Sequence, residues 1–211
     1  AAVVFYLRSM LGRIDPYQTN PLPPVPQLGS VELVREAATL VMLFSVGVLA
    51  GRTWRSRWGY MAIAFGIWDI FYYAFLRIIC GWPHTLFDWD VLFLLPLPWW
   101  GPVLAPMLIA ALMIFWGTLA SQFAPTEMPI RSGIPVWIMC FAGIGLALYV
   151  FMAGAIRAAG QGVGAVRNLL PEQFNWLWFL MALVLMAAPV VQNIWHIWLR
   201  RQQAFVGVET G

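Results

Sequence analysis

The chain has 211 residues, 62% of them apolar and 10% charged, with a mean hydropathy of +0.77. A soluble fold of that length cannot bury so much hydrocarbon, and the same composition excludes disordered, collagen-like and disulfide-stapled chains. All twelve cations are arginine against nine carboxylates, net +3. They are scattered, with no basic stripe interleaved with stacking aromatics, so no nucleic-acid partner is expected. Long apolar stretches divided by short polar ones predict an all-α, polytopic transmembrane bundle of about five spans.

The chain opens with AAVVFYLRSMLGRI, whose seven residues before Arg8 are too few to cross a bilayer. They read either as the outer end of an earlier helix or signal segment, or as a surface-lying processed terminus. From Asp15 to Ser30 the chain holds five of the fifteen prolines and no hydrophobic period, which predicts an extended connector. Residues 1–30 are therefore expected to form an N-terminal extramembrane segment. The transmembrane domain follows over 31–201, with a tail at 202–211.

The first span is expected over 31–50, after Ser30 as N-cap and before Gly51 and Arg52, Arg55 and Arg57. The second, 60–80, stops at Gly81-Trp82-Pro83, where the helix cannot continue. The stretch Val91 to Pro106 is apolar but carries Pro96, Pro98, Pro102 and Pro106, so it is expected to be interfacial or re-entrant. Spans over about 103–122, 135–158 and 174–199 complete the set. Arg52, Arg55, Arg57, Arg131, Arg200 and Arg201 share one side with two glutamates, whereas six arginines balance six carboxylates on the other. The positive-inside rule then puts the N-terminus outside and the C-terminus in the cytoplasm of a bacterial inner membrane.

Thirteen tryptophans fall mostly toward the two predicted interfaces, as an aromatic belt would. Trp82, Trp89, Trp99 and Trp100 cluster around the proline-rich segment and predict an outer aromatic ledge for a partner, a lipid headgroup or a planar cofactor. The run Pro98-Trp99-Trp100-Gly101-Pro102 is similar to the tryptophan-proline motif of the tryptophan-rich sensory protein group. In that family the motif follows the first helix, whereas here it precedes the third, and no site residue is carried over.

Asp69 is the most informative residue, because a carboxylate near the bilayer midplane costs at least roughly 2.5–3.5 kcal/mol. Helical spacing aligns it with Tyr73 at i+4 and Tyr72 at i+3, so a phenol is expected to donate to the carboxylate. Two readings stand: a proton, cation or ligand counter-charge site, or hydrogen-bonded glue between helices. Glu36 and Arg77 are candidates for an interhelical ion pair, with separate snorkelling as the alternative, and Gln192 and Asn193 for polar contacts of the last span. Cys80 and Cys140 fall near opposite faces and are not expected to pair.

His84 lies in the loop after the second span and His196 near the far end of the fifth, so the two cannot hold one haem. Either could serve as a single axial ligand to a haem or pigment. No CxxCH, HExxH or Cys/His cluster is present, so no metal centre or cofactor of the chain's own is expected, and lipid is the expected contact. Asp88 and Asp90 read as an exposed acidic turn or a shared cation site. The glycines of Gly160–Gly164 have no preceding strand and read as a flexible loop, not a phosphate cradle. Gly47 with Gly51, and Gly143, Gly145 and Gly154, mark close helix packing.

No catalytic set is complete. The leading expectation is a non-catalytic integral subunit of a larger bacterial membrane complex, of respiratory or photosynthetic electron-transfer type, with other integral subunits as partners. The alternative is a small proton- or cation-coupled transporter or hydrophobic-ligand sensor that uses Asp69.

Overall fold

The computed structural model describes residues 1–18, 26–94, 97–122 and 133–209, without the side chains of 26–29, 200, 201 and 203–209. The element order is α1 (Ala2–Met10), α2 (Pro26–Ala50), α3 (Trp54–Cys80), β1 (Trp89–Val91), β2 (Trp100–Pro102), α4 (Leu104–Gln122), α5 (Ile134–Ala159), α6 (Val163–Arg167), α7 (Trp176–Met186) and α8 (Ala188–Glu209). Five segments are long and apolar enough to cross a bilayer: α2 from Ser30, α3, α4, α5, and α7 with α8 over Trp176–Leu199. The chain is a polytopic membrane protein built as a helical bundle.

Helix starts explain most departures from the expected boundaries. α2 begins at Pro26 and runs through Ser30, so Ser30 is not its N-cap. Proline's fixed φ and missing N–H suit a first helical position. The rest of the expected connector, 19–25, lies outside the described residues. α3 begins six residues before the expected Tyr60, because Thr53 closes a reciprocal capping box. Its Oγ1 accepts from the Ser56 amide at 3.2 Å while Ser56 Oγ accepts from the Thr53 amide at 2.9 Å. Arg55 and Arg57 thereby enter the first turn of the helix, where Arg57 donates to the Gly51 carbonyl at 3.1 Å.

α3 ends as expected at Gly81, whose φ of 77° only glycine adopts readily. At the far end of the chain, α8 continues to Glu209, so the expected tail is helical over most of its length. The fifth span is broken where Pro189 has no N–H to offer; the Val190 and Val191 amides both turn to the Ala187 carbonyl, at 2.9 and 3.0 Å. Of the stretch expected to be a glycine loop before this span, residues 160–162 form a turn, and Val163 and Gly164 open the short helix α6, with Gly162 as its N-cap.

The proline-rich stretch before α4, expected as an interfacial or re-entrant segment, is a hairpin. β1 and β2 pair antiparallel in the register Trp89↔Pro102, Asp90↔Gly101, Val91↔Trp100. Amide bonds from Val103 to Asp88 at 2.9 Å and from Leu92 to Trp99 at 2.8 Å extend the ladder. A hairpin satisfies its backbone groups across the ribbon, which four closely spaced prolines forbid along a helix. Pro96 itself lies outside the described residues.

Glycines set the helix spacing. A Cβ on Gly117 would sit 2.4 Å from the Gly59 carbonyl oxygen, and one on Gly66 would sit 2.5 Å from that of Ala110, so α3 and α4 touch backbone to backbone. Gly47 and Gly51 bring α2 against the start of α3, and a Cβ on Gly143 of α5 would sit 2.7 Å from the Ala182 carbonyl oxygen of α7. Helices α2, α3 and α4 form one packed group, α5 and α7 another. α8 and the hairpin join the two, whereas α4 and α5 pack far less closely with each other than with these partners.

Replacing Gly117 by Leu forces α3 and α4 apart and is expected to destabilise the protein by about 1–3 kcal/mol, as overpacking does. Gly145, with nothing within 4 Å of its added Cβ, is the control. Gly145→Leu should leave the detergent melting temperature nearly unchanged while Gly117→Leu lowers it by several degrees.

Candidate functional site

The weak apposition of the two helix groups leaves a cavity of about 1220 Å³ between them. That is above the roughly 300–1,000 Å³ of ordinary small-molecule sites. Most of its wall is hydrocarbon and aromatic ring: Phe65 and Trp68 of α3, Met113 of α4, Ile144, Leu148 and Phe151 of α5. At the end where α3 starts and α4 finishes, Trp58, Trp116 and Trp137 line it. Trp116 and Trp137 meet edge to face at 6.2 Å across the mouth between α4 and α5.

The hairpin end of the cavity is polar. Arg8, Arg13, Glu32, Arg35, Glu36, Asp69, Tyr72, Tyr73 and Asp90 all contribute to its wall. Arg8 stands at the centre of this group. It reaches from α1 to Asp90 of β1, Nη2 to Oδ1 2.6 Å, and the two side chains are 14% and 1% exposed. The same Nη2 donates to the Tyr72 hydroxyl at 3.3 Å, Nη1 to the Ile14 carbonyl at 3.4 Å, and the guanidinium lies 4.3 Å from the Trp82 ring centroid. Tyr73 hydrogen-bonds the Asp90 carboxylate, and the Val91 amide donates to Asp90 Oδ1 at 2.8 Å.

Burial opposes charge on both partners. For Arg8 the attraction of Asp90, with lesser help from Tyr72 and Tyr73, outweighs burial and raises its pKa. For Asp90 burial outweighs Arg8 and its hydrogen bonds, and the carboxyl is pushed above the usual aspartate range. Asp90 is therefore not part of an exposed acidic turn. Asp88 does cap the turn, accepting from the His84 amide at 2.7 Å and the Thr85 hydroxyl at 2.6 Å. Burial alone would raise the Asp88 carboxyl, but these bonds hold it below the usual range.

The structure separates residues that helical spacing had grouped. Tyr72 and Tyr73 turn to Arg8 and Asp90 and not to Asp69. A competing charged pair delivered by α1 and the hairpin captures both phenols. Asp69 remains in the cavity wall with Oδ2 fully buried and without a hydrogen-bond partner. Glu36 also lines the cavity, but Arg77 does not pair with it. Arg77 caps its own helix end by donating to the carbonyls of Gly81 and, at 3.0 Å, Pro83. Arg35 pairs instead with Glu32 one turn away.

Asn193 makes the interhelical contact expected of it, its Oδ1 accepting from Arg55 at 3.2 Å. Gln192 Oε1 is buried without a partner. His84 is exposed and His196 half-buried, and neither lines the cavity. Among the described residues no three His, Cys, Asp or Glu side chains converge to hold a metal ion. Both cysteines are free thiols.

The expected outer ledge is a buried core. Trp82 and Trp100 are 1% and 2% exposed, and Trp89 and Trp99 are half-buried. α1 and the segment after it cover three of the four: Arg8 lies over Trp82, which packs with Tyr73, Leu76 and Val103, and Tyr17 stacks on Trp89 at 6.1 Å and meets Trp100 edge-on, whereas Trp99 packs toward Phe151 and Phe179. An apolar ledge at the headgroup level gains by being covered, and the N-terminal segment is the cover. Trp99 Nε1 is buried and unpartnered in the cavity wall. No family model, curated protein or solved structure matches the chain.

Removing one member of a buried, hydrogen-bonded ion pair strands the other, at a cost of about 3–5 kcal/mol. Arg8→Met and Asp90→Ala should each lower stability by that order in detergent unfolding. The double variant should be less destabilised than the sum of the two, a coupling that a double-mutant cycle reads directly.

Proposed function

We propose that the protein binds a hydrophobic ligand inside the membrane, as a sensor or carrier, in the cavity between its two helix groups. The observation that carries this reading is the cavity itself, apolar along most of its length and polar at one end, with Asp69 Oδ2 unsatisfied in its wall. A void of that size lined by ring and methyl groups forfeits dispersion contacts on every side, which an occupant restores. Asp69 then supplies the charged or hydrogen-bonding contact that orients the occupant. In the proposed bacterial inner membrane, the positive-inside rule supports an orientation with the hairpin end outward, through Arg52, Arg55 and Arg57 at the opposite end.

The second reading, a packing subunit of an electron-transfer complex, draws its support from the lack of a self-sufficient catalytic set in the sequence. It needs no cavity. The two readings differ in what purification yields: the first gives a homogeneous particle carrying a small amphiphile, the second a particle with further subunits and visible absorbance.

Ile144 faces the cavity from α5, half-buried, and an indole there fills empty volume. Ile144→Trp should therefore displace the bound amphiphile, seen as loss of a low-mass adduct in native mass spectrometry, with little change in the melting temperature of the delipidated protein. Full retention of the adduct in this variant would reject the cavity as the ligand site.

A further inference from the structure

The polar end of the cavity is not neutral in what it offers a ligand. Arg8 is bound to Asp90 and Arg35 to Glu32, so two of the three arginines in the wall already hold carboxylates of the wall. Four carboxyl groups face those three arginines, and the two outside these pairs are Glu36 and Asp69. Asp69 Oδ2 is buried with nothing to accept from. A buried acceptor of this kind is costly until a donor reaches it, and a cationic donor forms the stronger bond.

The rings around Asp69 point the same way. Phe65, Trp68 and Tyr72 lie on adjacent turns of α3, with Trp68 centred 5.9 Å from Phe65 and stacked at 6.2 Å on Tyr72, and all three line the cavity. Aromatic faces beside a carboxylate are a favourable setting for an ammonium group. Beyond them the wall is apolar as far as Trp58, Trp116 and Trp137, which suits a long hydrocarbon chain.

Resting on the reading of the cavity as a ligand site, we propose that its occupant is a single-chain amphiphile with an ammonium head, seated with that head on Asp69 and its chain along α3, α4 and α5. A fatty acid would set a carboxylate against Asp69 and Glu36. A quinone offers only carbonyl acceptors, which the Asp69 carboxylate cannot satisfy. A diacyl phospholipid brings a phosphate that calls for an arginine, but Arg8 and Arg35 are engaged with Asp90 and Glu32, and Arg13, the third arginine of the wall, is not free either.

Native mass spectrometry of the full chain in detergent, titrated with hexadecylamine, hexadecanol, palmitate or phosphatidylethanolamine, tests the proposal. Hexadecylamine should bind at least roughly tenfold more tightly than the other three, the order of a hydrogen bond to a charged group. Asp69→Asn should remove that advantage while hexadecanol still binds, which shows that the variant's cavity is intact. Equal binding of amine and alcohol, or preference for palmitate or phosphatidylethanolamine, would overturn the ammonium head and leave the cavity reading standing. Failure of every probe to bind would sink both. The comparison among probes uses the unaltered protein, so it decides the matter even if Asp69→Asn does not fold.

Discussion

The Arg8 guanidinium holds together three parts of the chain that sequence distance keeps apart. Its bonds run to the end of its own segment at Ile14, to Tyr72 in the second span and to Asp90 in the hairpin. Each partner needs the others. Asp90 is almost wholly buried and would be an uncompensated charge without Arg8, and without Asp90 Tyr73 would lose its acceptor. Trp82 then lies directly under the guanidinium and beside α1, and Tyr17 of the following segment meets Trp89 and Trp100. The pair does not drive folding by its Coulomb energy, which desolvation largely cancels; it specifies which surface α1 covers.

That cover decides the shape of the cavity. Glycine contacts draw α3 onto α4 and α5 onto α7 until backbones touch. No such contact joins α4 to α5, which present Met113, Trp116, Trp137, Cys140 and Ile144 to the space between them. Two tightly packed groups bridged at the ends by a hairpin and by α8 cannot also close along their middles. Lipid offers no hydrophobic force to drive them together, since hydrocarbon chains solvate these faces as well as protein does. The space is a consequence of where the small residues are.

Span number, helical class and the stop at Gly81 were legible because they depend on local rules: run length, proline geometry, the left-handed glycine. The contacts of Gly47, Gly51 and Gly143 were legible for the same reason. The starts of α2 and α3 were misread because Pro26 and the Thr53–Ser56 box are better initiators than Ser30 and Tyr60, a choice that hydropathy does not weigh. The hairpin was half legible: prolines excluded a helix, but ribbon pairing is a long-range match. At the site, Asp69 stood out by its cost, whereas Arg8 and Asp90 looked like interfacial charges. Nothing local distinguishes an arginine that snorkels from one that buries onto a carboxylate eighty-two residues away.

The two carboxylates at the hairpin end of the bundle illustrate a division of labour. Asp90 has an arginine, a phenol and an amide, so its charge is spent on structure. Asp69 sits on the same helix as the phenol that serves Asp90, Tyr73, yet its Oδ2 has no donor of its own. If Asp69 served only as glue between helices, Tyr73 on its stripe would be a natural donor, and it is engaged with Asp90. A midplane carboxylate costs about 2.5–3.5 kcal/mol by insertion scales, and structural use of it here recovers little of that. On the ligand-site reading proposed above, the unrecovered part is what a ligand reaching Asp69 would supply as binding energy, and the same residue would make that binding selective.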